Sequence, residues 1–304
     1  MLCSIIIPFF NRASLLPETI ESIIGQSYTN WECILIDDTS TDNSYDVAIK
    51  YSLIDSRIKV FRRPFYLKKG ANTCRNYGFK KSNGKYIHWF DSDDLMSFDM
   101  IEKIMNVFVS NQVEMVVSGA SFFSGHIKNK KLGKYKSIFP VTDNPAFEFF
   151  AGNFWFGTPQ AIFRRELIVS LPYIFNTNLI RNQETELYVR ILLGDLKISY
   201  INESLLYIRL HDFSISGKYS MMSSENKMIV DVDAYISMYL AFKKSNKLTV
   251  EVKKYFNNYF FKCLKKMNHK NYKYFKLFIF GNLHSLFPSR SLAAKIFIYR
   301  LFTL

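Results

Sequence analysis

The sequence predicts an α/β fold, a mostly parallel sheet flanked by helices, with a helical appendage at the C-terminal end of the chain. Strand patterns and helical patterns alternate through the first 120 residues, glycine and proline separate them, and the strand runs are almost wholly apolar. Repeated strand–helix alternation favours parallel strands joined by crossover helices. In such sheets, ligands bind beyond the carboxyl ends of the strands.

Five strands are expected in this part of the chain. The first, "CSIIIPFF", is a continuous apolar run, as in a strand that is buried on both faces. We interpret it as a strand rather than a signal peptide, because Pro8 and Asn11 interrupt the apolar run early. The predicted strands cover residues 3–10, 31–38, 58–63, 85–91 and 113–120.

Four helices are expected between these strands, over residues 14–27, 39–53, 70–82 and 98–111. The first has apolar residues at helical spacing, with Pro17 in its first turn and Gly25 near its end. The second begins with residues that commonly cap helices, and Gly70 opens the third.

The pattern is less regular after residue 120. Residues 121–160 suggest an irregular, partly β insertion, and aromatic residues are dense from 146 to 168. A helix over 182–195 and a pair of strands over 198–211 follow. From about residue 220 the chain is expected to be helical, so we predict a catalytic domain over 1–215 and a basic, aromatic-rich helical region over 216–304, with the linker near 215–222.

The distribution of charge and the number of cysteines limit the functional classes to which the protein can belong. Residues 1–215 carry a net charge of +2 and residues 216–304 a net charge of +12, so nearly all of the excess lies in the tail. A nucleic-acid-binding surface spread over the whole chain would not give this distribution, and no nucleic-acid partner is expected. Four scattered cysteines predict reduced thiols and a cytoplasmic location. The sequence contains no run of about 18 apolar residues, so no transmembrane helix is expected.

Acidic residues follow two of the predicted strands. Asp37 and Asp38 end the second strand, and Asp91, Asp93 and Asp94 follow the fourth. One or two carboxylates together with substrate phosphates are typical ligands of Mg²⁺ or Mn²⁺, and such an ion would neutralise a diphosphate leaving group. The carboxylates of the first pair could accept hydrogen bonds from a uracil N–H or from ribose hydroxyls. The alternative is that both clusters are acidic turns that cap the following helices.

Four sequence blocks carry a family resemblance: "SIIIPFFNR", "IESIIGQSYTNWECILIDDTSTDNS", "GANTCRNYGF" and "GKYIHWFDSDD". In this order and spacing they resemble the nucleotide-sugar-binding half of a family 2 glycosyltransferase of the GT-A fold, a Rossmann-like architecture. The resemblance is dense over residues 3–96 and thinner to about 215. It implies inverting transfer of a sugar from a nucleoside diphosphate donor with Mn²⁺ or Mg²⁺.

The resemblance also implies roles for individual residues. It places Pro8 and Phe10 at the rim of the base pocket, and Asp38 on the base with Asp37 beside it. Asp91 would contact ribose or sugar hydroxyls. The metal would be held by Asp93, while Asp94 would stand behind it. Arg75 would support the donor sugar or the acidic loop, and a purely structural salt bridge is the alternative.

The catalytic base is sought in "NQETELYVR". Relatives commonly have a Glu-Asp pair at the start of this helix, where Gln183 and Glu184 stand here. A general base must accept the proton of the attacking hydroxyl, which Gln183 cannot do, so Glu184 is the predicted base. Glu186 is the second candidate, although it points about 200° away around the helix. Alternatively, Glu184 only stabilises the helix N-terminus.

Three further residue groups are candidates. His211, in "YIRLHDFSIS", could complete the metal or diphosphate site, or be a structural histidine at a strand end. Residues 157–159 are expected to shape the acceptor side, where Trp155 could stack on a sugar ring or be buried in the core.

The basic tail allows two interpretations. Its lysines alternate with aromatic residues, a pattern that suits an interfacial helix on anionic lipid at the inner face of the cell membrane. Alternatively, the tail is a helical bundle with solvated lysines. The two are compatible.

Together these features predict transfer of a sugar from a UDP-linked donor to a glycan or lipid-linked acceptor in surface polysaccharide biosynthesis, such as capsule or O-antigen. One rival is a sugar nucleotidyltransferase of related fold, but "PFFNRAS" is not the glycine-rich phosphate loop it needs. The other is a non-catalytic basic module that binds nucleic acid or an anionic polymer. Confinement of the charge to the tail argues against it.

Overall fold

Nine strands in the described residues form one sheet, in the order β3-β2-β1-β4-β8-β6-β9-β5, with β7 paired to β6. The computed structural model describes residues 1–125, 133–135, 142–211 and 223–266. The strands are β1 Cys3–Phe9, β2 Trp31–Asp37, β3 Ile58–Arg62, β4 Tyr86–Trp89, β5 Leu95–Met96, β6 Met115–Ser124, β7 Gly133–Tyr135, β8 Ala161–Arg164 and β9 Ile198–Leu210.

The first half of the sheet is parallel, as predicted. β1 pairs in parallel with β2 and β4, and β2 with β3. The second half is mixed, because β8 is antiparallel to β4 and β6 whereas β6 and β9 are parallel. All seven residues of β1 and of β2 are buried, which agrees with their continuous apolar patterns. The carboxyl ends of β1, β2 and β4 therefore meet at one edge of the sheet.

Seven helices of the described residues accompany this sheet: α1 Leu16–Ile24, α2 Ser44–Ile54, α3 Ala71–Lys81, α4 Met100–Ser110, α5 Pro145–Ala151, α6 Arg165–Val169 and α7 Gln183–Leu192. α2 begins five residues later than predicted. Thr39 has a positive φ of 63°, and residues 39–43 form a loop, so these polar residues connect β2 to α2 rather than continue the helix.

The close packing of α3 on the sheet positions part of the site. A Cβ at Gly78 would lie 2.4 Å from Cγ2 of Ile6 on β1 and 3.2 Å from Cγ1 of Ile36 on β2. Only glycine permits this approach without a shift of the helix or the strands. Arg75 lies one turn earlier on the same helix and is also buried.

One strand prediction is wrong. Residues 198–211 were expected to form a pair of strands, but β9 is a single strand of 13 residues. Its register against β6 shifts around Gly119, where a Cβ would lie 2.7 Å from the carbonyl oxygen of Glu203. The polar residues around Glu203 thus form a bulge opposite a glycine. Their sequence pattern resembles that of a turn, although the strand continues through it.

The described residues divide into two compact units, 1–178 with 183–211, and 179–182 with 223–266. In the second unit, α8 Ser224–Lys244 and α9 Val250–Lys266 pack through aromatic side chains. The ring of Tyr239 lies 5.4 Å from that of Phe256 and 6.2 Å from that of Phe260, and all three are buried. The predicted linker near 215–222 lies wholly outside the described residues, so the domain boundary stays a prediction.

The tail was expected to be helical without a strong turn signal, but residues 245–249 interrupt it. Asn246 adopts a left-handed conformation with φ of 59°, and the N–H of Lys247 donates to the carbonyl of Phe242 at 3.2 Å. This is the six-to-one hydrogen bond of a helix that ends through a left-handed residue. Asparagine tolerates that conformation, which makes Asn246 the signal that the sequence interpretation missed.

Candidate active site at the carboxyl edge of the sheet

The loops after β1 and β2 are joined at this edge. Asn11 has a positive φ of 52°, and its side-chain carbonyl accepts the N–H of Thr41 at 2.8 Å, while its amide donates to the Thr41 hydroxyl at 3.1 Å. Next to it, Phe10 is 37% exposed and the ammonium group of Lys69 lies 3.9 Å above its ring. Pro8 is buried in β1 opposite Ile36. An accessible aromatic face therefore lies beside the end of β1.

The two carboxylates after β2 differ in their partners. Asp37 is buried and accepts the N–H of Ser40 at 2.9 Å, so part of its role is to fix the loop. Asp38 lies 2.5 Å from Nε of Arg63, and both side chains of this ion pair are almost fully buried. Arg63 was not singled out by the sequence analysis, since the arginine that follows an edge strand gives no local sign of such a partner.

Arg75 brings two carboxylates together that are distant in sequence. Its Nη2 donates to Oδ1 of Asp91 at 2.9 Å and lies 3.9 Å from Oε1 of Glu184. The guanidinium is buried, and its Nε and Nη1 have no hydrogen-bond partner among the described residues. Burial raises the pKa of Asp91 to about 6; the positive charge of Arg75 opposes this rise, and the charges of Glu184 and Asp93 add to it.

Asp93 and His211 face each other. Nε2 of His211 lies 2.9 Å from Oδ2 of Asp93, and Nε of Arg12 lies 3.4 Å from the same oxygen. No group of three or more histidine, cysteine or acidic side chains converges as a metal site in the described parts of the chain. One carboxylate with one imidazole fits an ion such as Mn²⁺ whose other ligands are substrate phosphates and water.

Asp94 has a backbone partner on β9. It is buried, and its Oδ1 accepts the backbone N–H of Arg209 at 2.9 Å. Burial raises the pKa of Asp94 well above its usual value, and the charges of Asp91 and Asp93 raise it further. The Arg209 side chain donates to the carbonyl of Asp93 at 2.9 Å and to Glu18 at 2.6 Å.

Arg209 thus ties the acidic loop to the end of β9, which carries His211. The sequence analysis missed Arg209 and Glu18. An arginine inside the otherwise apolar run "YIRL" was the available signal, because a buried guanidinium needs several acceptors.

The two candidate bases on α7 have different environments. Glu186 is fully buried, accepts the hydroxyl of Tyr173 at 2.6 Å and pairs with Nε and Nη2 of Arg190, both at 2.9 Å. The Glu184 side chain is 30% exposed and lies beside Arg75. Glu186 therefore holds the helix to the preceding loop, and only Glu184 of the two has access to a substrate hydroxyl. The assignment of the base to Glu184 stays a prediction.

Asparagines of α3 fix the chain that precedes α7. The amide of Asn76 donates to the carbonyl of Phe175 at 2.8 Å and accepts its N–H at 3.0 Å, and Asn72 donates to the carbonyl of Asn176 at 2.9 Å. The Phe175 ring centroid lies 5.3 Å from the guanidinium carbon of Arg75. The block "GANTCRNYGF" therefore supplies both Arg75 and the side chains that hold its surroundings.

The predicted acceptor side is formed by a short turn. Thr158, Pro159 and Gln160 form a buried 3-10 turn, and the carbonyl of Pro159 accepts the Nε2–H of the buried His88 at 2.8 Å. Trp155 is partly exposed, and its ring packs on Gly157, where a Cβ would lie 3.1 Å from it. The sugar-stacking role of Trp155 stays a prediction.

Residues 4–170 match the family model described as "Glycosyl transferase family 2", and the chain belongs to this family. The predicted family resemblance is confirmed. The chain is 39% identical over 121 residues to an uncharacterized glycosyltransferase of Haemophilus influenzae, and 33% identical over 125 residues to the putative teichuronic acid biosynthesis glycosyltransferase TuaG of Bacillus subtilis. Each match covers 40% of this chain, which spans about half the length (48%) of these curated relatives.

A longer match extends beyond the family model. The chain is 28% identical over 218 residues, 71% of its length and 80% of the relative, to an Escherichia coli protein, "UDP-Glc:alpha-D-GlcNAc-diphosphoundecaprenol beta-1,3-glucosyltransferase WfgD".

Solved structures confirm the GT-A fold. S. aureus TarS 1–349 in complex with UDP-GlcNAc superposes with a TM-score of 0.63 at 16% identity, over 89% of this chain and 83% of that fragment. The mannosyltransferase PcManGT of Pyrobaculum calidifontis, in complex with GDP-Man and Mn²⁺, gives 0.56 at 14% identity, over 98% and 84%. At this identity the likeness extends to the fold alone. No helix in the described residues is long and apolar enough to cross a membrane.

Proposed function

We propose that the protein transfers a sugar from a UDP-linked donor to a hydroxyl of a glycan or lipid-linked acceptor, with inversion at the anomeric carbon. The observation that carries the proposal is the convergence of Asp91 and Glu184 on Arg75, next to the facing pair of Asp93 and His211. Family membership and the relative named as a UDP-glucose-dependent glucosyltransferase support it.

The donor would lie along the carboxyl edge of the sheet. Phe10 offers a face on which the base can stack, with Pro8 below it and with Asp37 and Asp38 beside it. Asp91 would accept hydrogen bonds from ribose or sugar hydroxyls. Arg75 holds Asp91 in place and neutralises part of its charge.

Asp93 and His211 would hold a divalent cation, Mn²⁺ or Mg²⁺. When bound, such a cation neutralises negative charge that develops on the departing diphosphate. Arg12 lies 3.4 Å from the same Asp93 oxygen and adds a permanent positive charge at the site. His211 can serve as a ligand only when its facing nitrogen is unprotonated.

Glu184 would act as the general base. It accepts the proton of the acceptor hydroxyl while that oxygen bonds to the anomeric carbon and the bond from this carbon to the diphosphate oxygen breaks. Nη2 of Arg75 lies 3.9 Å from Oε1 of Glu184 and helps to position this carboxylate. Its partial exposure gives an acceptor access, whereas Glu186 is enclosed.

Relatives named for teichuronic acid biosynthesis and for a diphosphoundecaprenol-linked acceptor support a place in surface polysaccharide biosynthesis. We place the reaction in the cytoplasm, where the basic tail would contact the inner face of the membrane through exposed lysines of α8 and α9, such as Lys244 and Lys254.

The test is a panel of UDP-, GDP- and dTDP-sugars, assayed for donor hydrolysis with and without Mn²⁺, beside thermal stabilisation by UDP–Mn²⁺. Asp93→Ala should abolish the stabilisation, and Asp46→Ala, a change of an exposed carboxylate on α2, should retain it. No stabilisation by any nucleotide, together with a shift of nucleic acid at moderate salt, would replace the proposal with the basic-module alternative.

A further inference from the structure

We propose that the turn Pro64–Leu67, directly after β3, inserts its two central aromatic residues into the headgroup region of an anionic lipid bilayer. Neither Phe65 nor Tyr66 belongs to the tail or to the residues named for sugar transfer, and the observations that carry the proposal do not depend on the proposed function.

The turn is held rigidly from below. The N–H of Leu67 donates to the carbonyl of Pro64 at 3.0 Å, which makes Phe65 and Tyr66 the two central residues of a β-turn. The buried guanidinium of Arg63 donates to the carbonyl of Pro64 at 3.0 Å and also to the carbonyl of Leu67. Asp38 anchors Arg63 in turn. A buried ion pair therefore presents the turn, and its conformation does not depend on contacts made by its own side chains.

Both central side chains point into solvent. Phe65 is 94% exposed and Tyr66 73%, and their rings pack edge to face with centroids 5.8 Å apart. Two adjacent aromatic rings at a protruding tip are unfavourable in water, and together they form an apolar patch that a partner can cover. Tyr66 also has a hydroxyl that can stay hydrated, as is typical of aromatic side chains at a membrane–water interface.

The surrounding charge selects an anionic partner. Residues 56–90 contain ten lysines and arginines and no acidic residue. Five of the ten are paired with carboxylates: Arg57 with Asp55, Lys59 with Glu32, Arg62 with Asp37, Arg63 with Asp38 and Arg75 with Asp91. Lys68 and Lys69, which follow the turn directly, are exposed and have no carboxylate partner among the described residues.

The shape of the tip favours lipid over nucleic acid. Single-stranded nucleic acid binds in a positively charged groove where aromatic faces are free for stacking. Here the aromatic pair is convex, and each ring is turned edge to face against the other. A convex apolar tip with lysines at its base fits a deformable anionic surface, in which the rings enter the interface and the ammonium groups meet the headgroups.

The tip lies at the carboxyl end of β3, the same edge of the sheet as Asp37 and Asp38. Insertion there would turn this edge towards the bilayer. If the proposed function holds, this orientation would bring the site to the hydroxyls of a lipid-linked acceptor.

An environment-sensitive label tests the insertion directly. The four native cysteines are buried, so a cysteine introduced at the tip by Phe65→Cys can be labelled selectively with a nitrobenzoxadiazole dye in the full chain. The matched control is Leu53→Cys, because Leu53 is an apolar residue that is 82% exposed near the end of α2, remote in the fold from the turn. Vesicles are prepared from phosphatidylcholine alone or with roughly a third phosphatidylglycerol.

With the anionic vesicles, we expect a blue shift and an intensity increase of the dye at position 65. With the neutral vesicles, the affinity obtained from the same response should be weaker by on the order of a hundredfold. The dye at position 53 should respond to neither. No response at 65 while the chain floats with the vesicles would overturn the proposal and assign binding to the tail. An equal response at 65 to single-stranded RNA, or to UDP without vesicles, would also overturn it.

Vesicle flotation of Phe65→Ser with Tyr66→Ser gives a second test that needs no label. This double variant should lose affinity for anionic vesicles by about tenfold or more, and unchanged affinity would contradict the proposal. Stabilisation by UDP–Mn²⁺, measured on the same variant, should stay intact. Loss of vesicle binding by this variant can therefore be distinguished from failure of the proposed function. If the proposed function is wrong, the wild type itself should not bind the nucleotide.

Discussion

Nε2 of His211 lies 2.9 Å from Oδ2 of Asp93, although the two residues are 118 positions apart in the chain. The histidine directly follows β9, and the aspartate lies in the loop after β4. Arg209 joins these two elements, because its side chain donates to the backbone carbonyl of Asp93 and its backbone N–H donates to the carboxylate of Asp94. The facing pair is thus built into the fold and does not require a ligand to assemble it.

His211→Ala should weaken Mn²⁺ binding in the presence of UDP by about ten- to a hundredfold, because one of the two proposed protein ligands is removed. The free Mn²⁺ signal in electron paramagnetic resonance measures this without any turnover. His88→Gln is the control, since His88 is buried beside Pro159 and is not a proposed ligand. Equal Mn²⁺ affinity in wild type and His211→Ala would remove His211 from the metal site.

Glu184→Gln should impair turnover, whereas Glu186→Gln should impair stability. The first should reduce kcat by about a hundredfold or more with little change in melting temperature, because it removes the proposed proton acceptor from a partly exposed position. The second should cost roughly 3 kcal/mol of stability, because it leaves the buried Arg190 without its countercharge. Steady-state kinetics and thermal unfolding of both variants measure this, and a full kcat for Glu184→Gln would refute the assignment.

Arg75→Gln should lower kcat/KM by about a hundredfold, and it should raise the pKa of Asp91 further, because the opposing positive charge is lost. Arg75→Lys is the matched variant. It retains the charge but has a single ammonium group, which cannot contact Asp91 and Glu184 with the same geometry. We expect partial activity for the lysine variant. If both variants match the wild type in kcat/KM, Arg75 has only a structural role.

His88 should make the stability of the protein pH-dependent. Burial lowers its pKa from 6.5 to about 4, so the folded protein binds the proton less readily than the unfolded chain does. Stability from this group is complete above pH 6.5 and falls as the pH decreases towards 4, by about 3 kcal/mol in total.

His88→Gln removes this titration and keeps an amide that can donate to the Pro159 carbonyl. Denaturant unfolding of both proteins from pH 7.5 to 4 should therefore show a steeper loss in the wild type. Parallel curves would indicate that His88 is protonated as readily in the folded protein as in the unfolded chain.

The parallel half of the fold could be predicted from the sequence, and so could the edge that carries the acidic residues. β1, β2 and β4 are short, apolar and separated by clear helical patterns, so local signals agree with the fold. β9 shows where local reading fails. Its polar residues near Glu203 form a bulge opposite Gly119, and only the neighbouring strand distinguishes a bulge from a turn.

The candidate residues at the sheet edge were predictable from their motifs, whereas their partners were not. Arg63, Arg209 and Glu18 act through ion pairs with residues far along the chain, and no spacing rule connects such positions. Glu184 and Glu186 looked alike in the sequence. Packing against Tyr173 and Arg190 separates them in the structure.

The absence of a side chain at Gly78 sets how far the guanidinium of Arg75 stands from its two carboxylates. A methyl group there would meet Ile6 and act as a wedge under α3, lifting the helix from the strands. Such a displacement of α3 would be large enough to break the 2.9 Å hydrogen bond from Arg75 to Asp91. A single methyl group added at Gly78, in the hydrophobic interior, would then lower kcat/KM in the same way as a substitution of Arg75 itself.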